Sequence, residues 1–200
     1  MKDKLDWTLK QNLKRVGSLV ATYESHPDAR GRGRKTAAVL DILRAAVVLL
    51  HASLEDVLRG IAEWKLPAAG KEALDDIPLA GTGPVAKKIF LGELAAHRGK
   101  TVDELIKLSV EQYLLRSNYN NTAEVAGFLA SVGVDVTKVN SRFKGLEEMM
   151  SRRHQIVHRA DRQQHVSGPG DHTVRALNKY TVRNWIGDVE SFVADLFAQL

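Results

Sequence analysis

The stretch "SRRHQIVHRADR", residues 151–162, holds the residue types best suited to act on a phosphate group. An arginine guanidinium stays charged and matches two phosphate oxygens at once, whereas an imidazole exchanges a proton near neutral pH. Both groups would be needed to attack a phosphodiester through a neighbouring hydroxyl, since a base must remove a proton and a cation must stabilise the growing negative charge. Two interpretations stay open: the solvated end of an ordinary helix, or an arginine and a histidine that act on an anion.

A helical projection distinguishes the arginines of this stretch. On a regular helix over 143–159, Arg153 lies in the middle of an apolar stripe. The stripe consists of Leu146, Met149, Met150, Ile156 and Val157. Arg152 and Arg159 lie on the opposite side, which predicts that they face solvent. One edge of the stripe carries a polar row of Glu147, Ser151, His154 and His158.

An arginine in a buried seam is costly unless its head finds a partner. One alternative is that Arg153 packs its stem and meets a carboxylate such as Glu55 or Asp56. The other is that the stripe flanks a groove or subunit interface in which the guanidinium takes a phosphate.

The elements around this stretch are predicted to be helices. Apolar residues recur at helical spacing in six segments, which are about 4–23, 36–64, 101–115, 122–132, 141–159 and 173–199. No segment alternates with period two for long enough to predict a sheet, so the fold class is all-α. We expect one domain over 1–200, with core helices in about 4–64 and 141–200 and an insertion of short helices in about 67–140.

Composition excludes several classes of protein. The chain has 200 residues, 44% hydrophobic and 26% charged, which is typical of a soluble globular domain. There is no cysteine, so disulfides, thiolate metal sites and a cysteine nucleophile are excluded, and a reducing cytoplasm is the expected compartment. The first residues lack the apolar region of a signal peptide, and "AAVVLL" (45–50) is too short to span a membrane. The net charge of +5 favours a polyanionic partner slightly.

The hexapeptide "RHQIVH" (153–158) resembles the signature of the HEPN superfamily, in which an arginine, a polar residue and a short spacer precede a histidine. The helix order, "LLHASLEDVLRGI" (49–61) and the late "IVHRAD" are similar to the RiboL-PSP-HEPN type. The resemblance covers the helical frame at both ends of the chain, whereas 67–140 resembles nothing specific.

The resemblance implies a HEPN-like helical bundle that forms a homodimer and cleaves RNA without a metal or other cofactor. Cleavage would proceed by 2′-hydroxyl attack to a 2′,3′-cyclic phosphate, and many relatives are toxins or antiviral defence components with a partner protein such as an antitoxin. Arg153 and His158 would be catalytic, and His154 would be the polar position of the motif. Arg152 gives an alternative register with a longer spacer, and a dimer would bring two motifs into one cleft.

Accessory roles are predicted for two carboxylates: Glu55 could orient His158 or pair with Arg153, and either Glu55 or Glu147 is expected near Arg153. Weaker candidates for contact with the RNA backbone are Arg30, Arg32, Arg34, Lys35, Arg152 and Arg159, although a solvated basic loop explains most of them as well. A non-catalytic HEPN module and a helical adaptor that binds RNA or a partner protein remain the alternative functions.

Two other groupings favour no site. His154 and His158 have the spacing of a metal-binding pair, but no HExxH motif accompanies them, and His165 and His172 are expected in a loop, so no metal is predicted. Trp7, Trp64 and Trp185 occur among aliphatic residues at helical spacing, which favours the core over base stacking.

Overall fold

The computed structural model describes residues 1–30, 35–83, 89–161 and 175–200. Within these ranges the protein is helical and contains no strand, so the prediction of an all-α fold is confirmed. The α-helices are α1 (Lys2–Ser25), α2 (Pro27–Arg30), α3 (Ala37–Lys65), α4 (Lys71–Leu74), α5 (Val102–Leu114), α6 (Thr122–Ser131), α7 (Phe143–Arg159) and α8 (Lys179–Phe197). Short 3₁₀ turns occur at Leu66–Ala68, Leu91–His97, Val136–Lys138 and Asn140–Arg142.

Helix α3 lies at the centre of the bundle, as its apolar sequence predicts. The Thr36 hydroxyl accepts a hydrogen bond from the Val39 N–H and caps its first turn. Along its length α3 packs against α1, α7 and α8, and its residues Leu43, Val47, Leu50, Leu54 and Leu58 are fully buried. Burial of a leucine of this kind contributes roughly 1.5–3 kcal/mol, so the α3 face is the main source of core stability.

One helical span of the described residues, Ala37–Ala68, is by length and composition apolar enough to cross a membrane. In this structure 56% of its apolar window is buried inside the protein. A buried core helix passes the same test, and the packing of α1, α7 and α8 around α3 accounts for its apolar character.

Helix α8 begins later in the chain than predicted. Helix α8 begins at Lys179 rather than at about residue 173, because Asn178 caps it by accepting the Tyr180 N–H. The predicted apolar face of this helix is confirmed, since Trp185, Val189, Phe192, Leu196 and Phe197 are all buried.

The segment between α3 and α7 is built of short helices, as expected. Thr101 and Glu104 form a capping box at the start of α5, and Asn121 caps α6. Gly133 follows α6 with a φ of +80°, a left-handed conformation that ends the helix and suits glycine. A small apolar cluster of Ala62, Leu66, Val110 and Leu114 joins this segment to the end of α3.

The tryptophans are only partly in the core. Trp185 is buried and Trp64 is half-buried, but Trp7 is 63% exposed, so the prediction of a core position is wrong for Trp7. It lies on the outer face of α1, because Leu9, Val16 and Val20 form the face that packs on α3.

Candidate functional site

Arg152, one of the three arginines of α7, is placed differently from the helical projection, and Arg153 is only half-buried. Arg153 lies on the apolar side of α7, between the buried Met149 and Met150 and the half-buried Ile156 along the helix. Leu146, Met149 and Met150 are buried as predicted, whereas Val157 is 48% exposed. The apolar face of α7 therefore ends before the last turn, and Arg153 lies where burial gives way to solvent.

Arg152 is the buried arginine, so the prediction that it faces solvent is wrong. Only 9% of its side chain is exposed, and its Nη2 donates to Asp161 Oδ2 at 2.7 Å. The same Nη2 donates to the Arg175 and Ala176 carbonyl oxygens at 2.9 and 3.3 Å. Because Arg152 is buried and its Nη2 is held by these bonds, the geometry does not support it as a surface contact for RNA or as the arginine of the alternative register.

Asp161 is shared between α7 and α3. Arg44 of α3 donates its Nε to the same Asp161 Oδ2 at 2.7 Å, and its Nη1 pairs with the exposed Asp41. Asp161 itself is fully buried. We call Arg44, Arg152 and Asp161 the buried ion cluster. Burial lowers the pKa of Arg152, and Asp161 opposes that shift.

A left-handed turn brings Asp161 into this position. Ala160 and Asp161 have φ values of +47° and +56°, and the Asp161 N–H bonds to the Gln155 carbonyl oxygen. The turn folds the aspartate back under the helix that precedes it. The short Asp side chain tolerates this backbone conformation. A helical projection describes only the helix, so it could not show a partner beyond the helix end.

The two histidines of α7 lie side by side. Their ring centroids are 4.6 Å apart with an interplanar angle of 41°, and both residues are exposed. Helix α7 continues through Arg159, so the one-turn spacing of His154 and His158 is that of a regular helix. On such a helix Arg153 is about 140° from His158, and His154 is the nearer neighbour of His158.

Glu55 of α3 is the carboxylate whose charge acts on Arg153. The Glu55 Oε1 accepts the Tyr119 N–H at 3.3 Å, and Oε2 lies 3.4 Å from Nδ1 of His51, outside hydrogen-bond geometry. His51 is fully buried and its Nε2 donates to the Tyr119 carbonyl oxygen at 3.2 Å. Burial raises the pKa of Glu55, but His51, the Tyr119 N–H and Arg153 together bring that pKa below its ordinary value.

Arg153 has no ion pair within 4 Å and no hydrogen bond to any described residue, and its Nε is buried without a partner. We call Arg153, His154, His158 and Glu55 the α7 edge cluster. His51 and Tyr119, which support it, are absent from the predicted site. His51 lies one helical turn before Glu55 in the sequence, and this spacing could have predicted that the two side chains are neighbours.

The remaining predicted site residues bond to other residues, lie at the surface or fall outside the described residues. Glu147 accepts the Thr122 N–H and hydroxyl at 2.9 and 2.7 Å and so serves the first turn of α6. Arg30 and Arg159 are exposed, and Lys35 is half-buried. Arg32, Arg34, His165 and His172 lie outside the described residues. Among the residues that the structure describes, no group of three or more possible ligands could hold a metal ion.

Comparison with known proteins identifies no relative: no family model, curated protein or solved structure matches the chain.

Proposed function

We propose that this protein is a metal-independent endoribonuclease of the HEPN type, in which Arg153 binds the scissile phosphate and His158 transfers a proton. The observation that carries the proposal is the α7 edge cluster. This cluster contains a guanidinium that bonds to no described residue and two exposed imidazoles, in the order that the HEPN signature requires.

Arg153 is suited to a phosphate ligand because it forms no ion pair with a described residue. Its buried Nε makes no hydrogen bond to a described residue, which is an unfavourable state for a polar group, and the guanidinium could bind an anionic oxygen. Glu55 supplies a negative charge nearby, held in place by the Tyr119 N–H. This carboxylate limits the cost of the half-buried cation without occupying its donors.

The paired imidazoles offer both proton transfers of the reaction. The 2′-hydroxyl must lose a proton, and the 5′-oxygen that leaves must gain one. One histidine cannot do both in one step, but His154 and His158 lie with ring centroids 4.6 Å apart. Either His154 or a histidine from a second copy of the chain would serve as the acid when His158 is the base.

A homodimer fits this site because the described surface of α7 beside it is partly apolar and exposed. Val157 is 48% exposed beside the half-buried Ile156 and Arg153. Two such edges around a two-fold axis would cover this apolar surface and place both clusters in one cleft. The close approach of the guanidinium groups would be compensated by Glu55 and by bound RNA.

The test is cleavage of a single-stranded RNA in EDTA, with DNA of the same sequence as the substrate control. We expect cleavage of RNA alone, with 2′,3′-cyclic phosphate and 5′-hydroxyl ends, because DNA lacks the attacking hydroxyl. His158→Ala should lower the rate at least about a hundredfold, as expected for loss of a general base. Arg153→Ala should do the same, while Lys144→Ala, a change of an exposed α7 residue, should keep the activity.

Three outcomes would contradict the proposal. They are activity that chelation abolishes, products with 5′-phosphate ends, and undiminished cleavage by a folded His158→Ala variant. RNA binding by the wild type with no cleavage would instead favour the non-catalytic HEPN module.

A further inference from the structure

A cleft of about 1080 Å³ opens between α1, α7 and the start of α8. None of Arg153, His154 and His158 lines it, so it is a different place from the α7 edge cluster. Its volume is at the upper end of the range for small-molecule sites in proteins. Tyr23 and Trp185 contribute aromatic walls, and both are largely buried.

The lining of this cleft carries charged side chains of both signs. Its lining includes four cations, Arg30, Arg152, Arg175 and Lys179, and three carboxylates, Glu24, Glu147 and Glu148. Glu24 is already paired, with Lys179 at 3.2 Å and with Arg183 at 2.8 Å. The carboxylate of Glu147 bonds to Thr122, which does not line the cleft.

Arg175 is the lining cation with donors to spare. The side chain of Arg175 bonds to the neutral Gln155 Oε1 at 2.6 Å and pairs with no carboxylate within 4 Å among the described residues. Arg152 is more than nine-tenths buried, its Nη2 is held by Asp161, and its Nε makes no hydrogen bond to a described residue. Arg175 is therefore the lining cation whose free donors an anionic ligand could take.

The start of α8 adds to this attraction for anions. Asn178, Lys179 and Thr181 line the cleft, so the first turn of a 19-residue helix borders it. Helix N-termini carry a partial positive charge, which stabilises an anion placed there.

We propose that this cleft is a binding site for a small phosphorylated ligand of nucleotide size. Its phosphate would lie against Arg175 and Lys179 in front of Arg152, and its ring would lie toward Trp185. This proposal does not depend on ribonuclease activity, since the cleft shares none of the catalytic residues proposed above.

The experiment is isothermal titration calorimetry of the full chain with inorganic phosphate, AMP and adenosine, all at the same ionic strength. We expect AMP and phosphate to bind and adenosine not to bind, because the attraction comes from the cations. Tighter binding of AMP than of phosphate would assign a role to the aromatic wall, and equal affinities would narrow the ligand to the phosphate group. Absence of binding by both anions at millimolar concentration, or equal binding of adenosine and AMP, would overturn the proposal.

Charge variants of opposite sign make the result specific to the cleft. Arg175→Glu should weaken AMP binding about tenfold or more, since a hydrogen bond to a charged group is lost and a repulsion is added. Glu148→Gln should tighten binding severalfold, because it removes a lining carboxylate that pairs with no cation within 4 Å among the described residues. Arg98→Glu, an exposed change outside the cleft, gives the effect of net charge alone. An Arg175→Glu variant that melts like the wild type and binds AMP like the Arg98→Glu control would refute the site.

Discussion

Removal of the carboxylate at the centre of the buried ion cluster should destabilise the protein strongly. Arg44 and Arg152 both donate to Asp161 Oδ2 at 2.7 Å, and Asp161 is fully buried. Asp161→Asn keeps the size of the side chain, and asparagine tolerates the positive φ of this position, so the backbone turn is retained. The variant therefore changes the charge and little else.

The expected magnitude follows from what is left behind. Loss of one member of a buried ion pair costs about 3–5 kcal/mol, because the remaining charge stays buried without compensation. Here two guanidinium groups lose the same partner, and among the described residues only Arg44 retains another carboxylate, the exposed Asp41. For a chain of this length a loss of about 3–5 kcal/mol lowers the melting temperature by about 6–20 °C. That is a large share of the roughly 5–15 kcal/mol by which a typical domain is stable.

Denaturant unfolding followed by circular dichroism measures the loss, provided that the slope with denaturant is unchanged. Asp6→Asn is the matched control, because Asp6 pairs with Lys10 at 2.6 Å on the exposed face of α1 and its loss should not be measurable. The double variant Asp161→Asn with Arg152→Met should lose less unfolding free energy than the two single variants together, since it also removes a charge left unpaired. An Asp161→Asn variant within about 1 kcal/mol of the wild type would refute this account of the ion cluster.

Two further predictions concern α3 and α7. The pKa of Glu55 lies below its ordinary 4.5, so its ionised form stabilises the fold above that pH and the contribution is lost as the pH falls through the lowered pKa. The free energy of unfolding of Glu55→Gln should therefore be lower than that of the wild type at pH 6, and the gap should narrow as the pH falls below 4.5. A gap independent of pH would contradict this. A Cβ on Gly145 of α7 would clash with the Asp188 carboxylate of α8, so Gly145→Ala should lower stability by roughly 1–3 kcal/mol. A Cβ on Gly127 of α6 meets nothing within 4 Å, so Gly127→Ala should raise stability by about 0.5–1 kcal/mol. If both variants shifted the melting temperature in the same direction, the close approach of α7 and α8 would have no energetic effect.

The helices could be predicted where their signals are local. The capping residues Thr101 and Asn121 and the spacing of apolar residues in α1, α3 and α8 locate these elements well. The start of α8 could not be located in this way, because the residues before it are held by distant groups. Arg44 and Arg152 donate to the carbonyl oxygen of Arg175, and these contacts hold the backbone at a place where helical spacing alone predicts a helix.

The candidate site was proposed from the sequence by its residues, and its geometry could be predicted only in part. Arg153, His154 and His158 lie on one helix, so their mutual spacing follows from helical geometry. The burial of Arg152 depends on Asp161, which comes after the helix in a turn that periodicity does not describe. The support of Glu55 by Tyr119 depends on contact between segments 64 residues apart, which no local pattern contains.

The shared aspartate also bears on the order in which the chain can fold during synthesis. Arg44 emerges from the ribosome with α3, whereas Asp161 follows 117 residues later. Helices α1 and α3 are close in sequence and can pair early, but a buried guanidinium cannot be desolvated cheaply before its carboxylate arrives. We therefore expect the nascent α1–α3 hairpin to stay hydrated around Arg44, and the core to close only when the end of α7 has left the exit tunnel.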